Sequence, residues 1–148
     1  MKVFRFACGA AILSLAFASV SWADPPCDGH YPSWGRVCYG GAHVTAKTIE
    51  WYSAFSECKP SPYEVIASDL KGKRPFVAYR FKKRSKACLY EVMEISKVDY
   101  GDDYWSVNGY TSLKNYRERH DDPAVRQSCP LGAMPSKRCN LPFAGKKQ

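Results

Sequence analysis

The stretch PFVAYRFKKRSKACLYEVMEI, Pro75 to Ile95, decides the fold. In its first half Phe76, Ala78 and Arg80 alternate with Val77, Tyr79 and Phe81. In its second half Leu89, Glu91, Met93 and Ile95 alternate with Cys88, Tyr90, Val92 and Glu94. A period of two in β-branched and aromatic residues marks a half-buried strand. Two such runs joined by a short polar segment make an antiparallel hairpin, here with its turn at Lys82 to Lys86. On that spacing Glu91 and Glu94 fall on opposite faces, which keeps them from acting together on one substrate.

Outward from the hairpin the signals weaken but stay of one kind. YEVIASDL, Tyr63 to Leu70, reads as a strand, and HVTAKTIEWYS, His43 to Ser53, as another with a bulge where the alternation slips near Lys47 and Thr48. Between them Lys59-Pro60-Ser61-Pro62 reads as a turn. YWSVNGYTSL, Tyr104 to Leu113, gives a further strand in which Gly109 marks a bend. Leu113 to His120 suits a short helix or a continued strand, ended by Asp121-Asp122-Pro123. Asp99, Asp102 and Asp103 sit in a turn without the ligand spacing of a calcium loop. The expected fold is therefore mainly β: a single small antiparallel β domain of five or six strands, an open sheet or barrel-like, with room for one short helix.

The ends have a different character. Residues 1–23 carry Lys2 and Arg5 ahead of an uncharged apolar run from Phe6 to Val20 and small residues at Ser21 and Ala23, the pattern of a secretory signal peptide. Residues 24–41 are rich in Pro and Gly without a period and read as an irregular N-terminal arm. Residues 42–122 form the β domain, and 123–148 a basic C-terminal tail ending at Lys146 and Lys147. Past the signal no apolar run is long enough to span a membrane. Cys27, Cys38, Cys58, Cys88, Cys129 and Cys139 then remain, an even number in an exported chain, which favours three disulfides. Tying each irregular end to itself pairs Cys27 with Cys38 and Cys129 with Cys139, and leaves Cys58 with Cys88 across the centre. The expected location is secreted or periplasmic.

Removing Lys2 and Arg5 leaves 20 basic against 14 acidic side chains, a formal charge of +6. That surplus favours acidic partners, an acidic protein or an anionic polysaccharide. Nucleic acid is disfavoured, because the aromatics interleaved with the cations of Lys71 to Lys86 are claimed by the hairpin core and the chain is exported. The hairpin tip, Lys82, Lys83, Arg84 and Lys86, is the candidate binding surface. Lys71, Lys73 and Arg74 make a second basic patch at the other end of the strand. Trp51-Tyr52 and Tyr104-Trp105 place adjacent aromatics on opposite strand faces, one ring inward and one outward, so Trp51, Tyr104 and Trp105 are candidate aromatic anchors.

Catalytic signatures are lacking. The sequence has no G-x-S-x-G or H-E-x-x-H motif, no C-x-x-C metal spacing, and nothing that implies a cofactor. His43 and His120, with a lysine such as Lys47, are the residues from which a small basic ribonuclease-type hydrolase would be assembled. The Trp and Cys near the start and the later central Cys give an outline similar to the periplasmic lysozyme inhibitors. The Ser-rich loop with which those inhibitors enter the lysozyme cleft has no counterpart, and a charge of +6 complements a basic lysozyme poorly. The expected function is an exported, non-enzymatic binding or inhibitory module that acts on an acidic macromolecule through the basic hairpin and exposed aromatics. A secreted hydrolase and a structural or assembly component of the envelope are the alternatives.

Overall fold

A computed structural model describes residues 27–98, 104–119 and 122–131. The expected signal peptide, Asp99, Asp102, Asp103, His120, Cys139 and the tail beyond Leu131 lie outside the described residues. The elements in chain order are β1 (Gly29–Tyr31), β2 (Gly41–Val44), β3 (Ile49–Ser53), β4 (Ser56–Ser61), β5 (Tyr63–Asp69), β6 (Phe76–Phe81), β7 (Val92–Lys97), β8 (Trp105–Tyr110), α1 (Leu113–Arg117) and β9 (Arg126–Pro130). They form two antiparallel sheets, β1-β2-β3-β4 and β5-β6-β7-β8-β9, each a meander in sequence order. The fold is mainly β and antiparallel with one short helix, as the alternation predicts, and the strands are divided between two layers.

The inward faces share one core. From the first sheet come Tyr31, Ala42, Val44, Ile49 and Trp51, and from the second Val77, Tyr79, Phe81, Met93, Ile95, Trp105 and Val107, all buried. The predicted alternation in Pro75 to Phe81 holds: Val77, Tyr79 and Phe81 face this core, while Ala78 turns outward with Val92, Tyr110 and Tyr116. There α1, whose Ser112 N-cap accepts a hydrogen bond from the Asn115 amide, covers part of the outer face of the second sheet.

Several local readings change. The slip near Lys47 is a hairpin turn between β2 and β3: Thr45 N–H donates to Thr48 C=O, and the Thr45 hydroxyl accepts from the amides of Lys47 and Thr48. A threonine oxygen thus supplies the turn chemistry that a glycine or asparagine more often gives. Lys59 to Ser61 belong to β4 rather than to a turn. β4 has a strand partner on one side only, so the missing N–H of Pro60 disturbs no ladder, and the β3–β4 register shifts between Ile49 and Trp51. The ends are less irregular than their composition suggests. β1 lies inside the arm, β9 lies inside the tail, and Ser33 bridges Leu131.

Gly109 sits in β8 without a bend. A Cβ at that position would lie 2.2 Å from Cζ3 of Trp51 and 2.7 Å from Cγ of Tyr90. The residue is small because the Trp51 indole, stacked on Tyr90 at 4.8 Å between ring centres, occupies the space.

The cysteines correct the predicted pairing at the ends. Cys58 bonds Cys88, as expected. Cys38 bonds Cys129, which excludes both Cys27–Cys38 and Cys129–Cys139. The Cys38–Cys129 bond fastens the loop before β2 to β9 and so ties the two sheets together. Composition marked both ends as needing a constraint, but which cysteines meet is set by the pairing of sheets and not by spacing along the chain.

Candidate functional site: a pinned basic connector and its groove

The hairpin between β6 and β7 has a longer connection than the alternation implies. Arg80 pairs with Val92, so residues 82–91 form the connector and Cys88 to Glu91 are not strand. The cause is lateral attachment. Lys82 N–H donates to Pro62 C=O at 2.8 Å, Lys83 N–H to the Ser61 hydroxyl at 3.1 Å and Leu89 N–H to the Ser56 hydroxyl at 2.9 Å. Glu57 N–H donates to Ala87 C=O, the Ser85 hydroxyl donates to Glu57 C=O, and the Cys58–Cys88 bond closes the join. The connector therefore lies along the free edge of β4. An edge strand left open is a template for unwanted pairing, and this one is covered.

Covering the edge fixes the backbone and leaves the cations outside. Lys82, Lys83, Arg84 and Lys86 are exposed, and no carboxylate among the described residues lies within salt-bridge distance of them. Lys59, on β4 itself, joins the same ridge and has only a 3.7 Å contact with Glu57. Lys71, Lys73 and Arg74 are also exposed, in the β5–β6 connection at the far end of β6. The two basic patches thus stay apart.

Beside the ridge lies a groove of about 590 Å³. Its walls include the apolar Val37, Phe55 and Leu89, which are 43%, 64% and 49% exposed, together with Tyr90, Arg126 and Gln127. Gln127 is immobilised by its partners: its Oε1 accepts from the Tyr90 and Ser53 hydroxyls, and its Nε2 donates to Val37 C=O. Burial raises the Tyr90 phenol pKa above its ordinary value. The connector contributes to both: Leu89, three residues after Lys86, lines the groove, and its N–H is tied to Ser56 beside Phe55, while none of the connector cations lines the groove itself. The loop that carries Val37 also exposes Trp34 at 57% and Tyr39 at 60%.

Of the expected anchors, the structure keeps one on the surface. Trp51 and Trp105 are each 1% exposed and belong to the core, while Tyr104 is 55% exposed. One ring of each adjacent pair does turn inward, and in both pairs it is the tryptophan. The parity was available in the sequence, because Trp51 shares its face with Ile49 and Trp105 shares its face with Val107. Phe55, Leu89 and Val37 were missed. Phe55 carried a signal: it is a large apolar residue in the two-residue turn between Ser53 and Ser56, where neither turn chemistry nor the core calls for one.

Glu91 and Glu94 likewise differ from expectation. The alternation shifts phase between Tyr90, which faces the core, and Val92, which faces out, so both acids lie on the outer side. Each has its own arginine: Glu91 accepts from Arg80 Nε at 2.8 Å, and Glu94 from Arg119 Nη1 at 2.6 Å. No group of three or more His, Cys, Asp or Glu among the described residues is arranged to hold a metal ion. No helix among them is long and apolar enough to cross a membrane. The chain matches no protein-family model, no curated protein and no solved structure.

Proposed function

We propose that the chain is an exported binding or inhibitory module, not an enzyme, and that its partner is an acidic protein. The partner seats an apolar side chain in the groove between Phe55 and Leu89 and spreads its carboxylates over Lys59, Lys82, Lys83, Arg84 and Lys86. The observation that carries this reading is the union of two surfaces. A connector whose Lys82, Lys83, Arg84 and Lys86 make no salt bridge among the described residues, on a backbone fixed to β4, also supplies Leu89 to an apolar groove with half-exposed walls. Fixing the backbone in advance lowers the entropy lost on docking. Charge gives orientation and speed of encounter, and the groove gives the desolvated anchor that most of the affinity requires. An anionic polysaccharide would use the cations and ignore Phe55 and Leu89, so the groove favours a protein.

The test is capture from cell-envelope and culture-supernatant extracts at moderate salt, comparing the native chain with Lys83→Glu/Arg84→Glu and with Phe55→Ser. The expected result is an acidic protein retained by the native chain and lost with either variant. Retention that ignores Phe55→Ser but follows the charges, together with binding to heparin, would replace the protein partner by a polyanion. No retention by the native chain would end the reading.

A further inference from the structure

On the outer face of the first sheet His30, His43 and Glu50 stand in one row across β1, β2 and β3. His30 is the cross-strand partner of His43, and His43 of Glu50. Their neighbours Tyr31, Ala42, Val44, Ile49 and Trp51 are all buried, which turns these three side chains to the opposite, outer side. The two imidazoles are in contact edge to face, with ring centres 5.8 Å apart and planes at 74°. Glu50 is held at both oxygens: Oε1 lies 2.9 Å from Nδ1 of His43, and Oε2 accepts from the Tyr52 hydroxyl at 3.1 Å. Burial and that hydrogen bond push the Tyr52 phenol above its ordinary pKa.

We propose that His30 and His43 are the protein ligands of a site for a divalent late transition metal, with Cu²⁺ bound more tightly than Ni²⁺ or Zn²⁺, and that Glu50 is a positioning residue acting through His43. With Nδ1–H of His43 directed to a carboxylate, Nε2 carries the lone pair. A carboxylate on the second nitrogen is the usual support of a metal-bound histidine. An ion about 2.0–2.1 Å from one nitrogen of each ring lies about 3.2 Å from each ring centre, so rings sharing it have centres about 5 Å apart at a tetrahedral angle and about 6.4 Å apart when collinear. The observed 5.8 Å lies inside that window, at an angle of about 130°, and sharing an ion requires the two rings, which stand edge to face, to turn one nitrogen each toward a common point. Imidazole suits these ions, and copper leads the affinity order at nitrogen sites. Two protein ligands leave the other positions to water, which makes the site open and its ion exchangeable. This site lies apart from the groove and does not depend on the reading above.

The experiment uses the folded, disulfide-bonded chain without a histidine tag. Cu²⁺ is titrated by calorimetry and by electron paramagnetic resonance, and ¹⁵N NMR follows the His43 tautomer. The expected result is one Cu²⁺ with two imidazole nitrogens in its hyperfine pattern. His30→Ala and His43→Ala should each weaken it more than about tenfold. Glu50→Gln should weaken it about 10–100-fold and shift His43 away from the Nδ1–H form, a change that a merely structural role would not produce. His120→Ala should leave binding unchanged. The proposal is overturned if either ligand variant, with its thermal midpoint intact, keeps wild-type affinity, or if His120→Ala abolishes binding.

Discussion

On the outer face of the five-stranded sheet, charges are matched within the fold. Arg80 lies between Glu64 and Glu91, Arg119 pairs with Glu94, and Arg119 also lies over the rings of Phe76 and Tyr116. Burial tends to lower the Arg119 pKa, but the hydrogen bond and charge of Glu94 outweigh it and hold the guanidinium above its ordinary value. Burial, then the charge of Glu94, pushes the Tyr116 phenol up to about 12. Asn108 is buried and spans Ser96, Ser106 and Arg126 in one hydrogen-bonded network. The β4 edge of the other sheet is built in the opposite way. There the hydrogen bonds are spent on the backbone of the connector, and the cations are left outward. Charge is paired within the fold in the first region and left exposed in the second.

The largest way to break this contrast is to release the connector. Cys58→Ala/Cys88→Ala opens a bond between residues 30 apart in sequence, and chain entropy for a loop of that size puts the loss at about 3–4 kcal/mol, read as the change in denaturation midpoint. Capture of the proposed acidic partner should fall with it although no cation has been removed. Unchanged capture would show that pinning the ridge is irrelevant to its function.

Next in size is Arg119→Ala, which leaves the Glu94 carboxylate, with 7% of its side chain exposed, without its guanidinium. A fully buried pair broken on one side costs about 3–5 kcal/mol. Arg119 is half exposed, so screening by solvent reduces the expected loss to about 1–2 kcal/mol. A loss no greater than that of an ordinary surface substitution would remove Glu94 and Arg119 from the account of the second sheet.

Glu91 gives a smaller effect that depends on pH. Burial raises its pKa, but the Leu113 amide, the Arg80 hydrogen bond and the charges of Arg80 and Arg84 outweigh that and hold the carboxyl below the usual range. A depressed folded pKa contributes stability that is fully present above the unfolded value, about 4.3 for Glu, and that disappears as pH falls through the folded value. The difference in thermal midpoint between the native chain and Glu91→Gln should therefore be constant at neutral pH and shrink on acidification below about pH 4.3. A difference that grows in acid would reverse the assignment. Smallest of all is Lys82→Gln/Lys83→Gln/Arg84→Gln/Lys86→Gln, expected to change stability by no more than about 0.5 kcal/mol while abolishing capture.

The parts of the fold legible in the sequence are those where one physical pattern suffices. Phe76 to Phe81 alternates because one face meets the core and the other meets α1 and its neighbours. β1 and β9 were not legible, because strands of three and five residues with polar members carry too few alternations to stand out from a loop. β4 was hidden by Pro60, whose cost depends on being at an edge, and edge position is a property of the whole sheet. At the site, the cations of the connector could be read as exposed because charge is expensive to bury. Phe55 and Leu89 could not be read as groove walls, because they come together only when the connector lies against β4. The row of His30, His43 and Glu50 was equally silent, since cross-strand register and not spacing brings it into line.

The Cys38–Cys129 bond encloses the Cys58–Cys88 bond within the span of sequence that it closes. In an oxidising medium loop-closure entropy favours short loops, and the shortest loop open to Cys38 leads back to Cys27; a chain that closes it first must exchange that bond before β9 can be fastened. On that route the native state is reached by exchanging sulfur partners and not merely by oxidising them. Production of this protein should be limited by access to a thiol shuffler or disulfide isomerase, a step that takes seconds to hours, and not by the speed with which its hairpins zip.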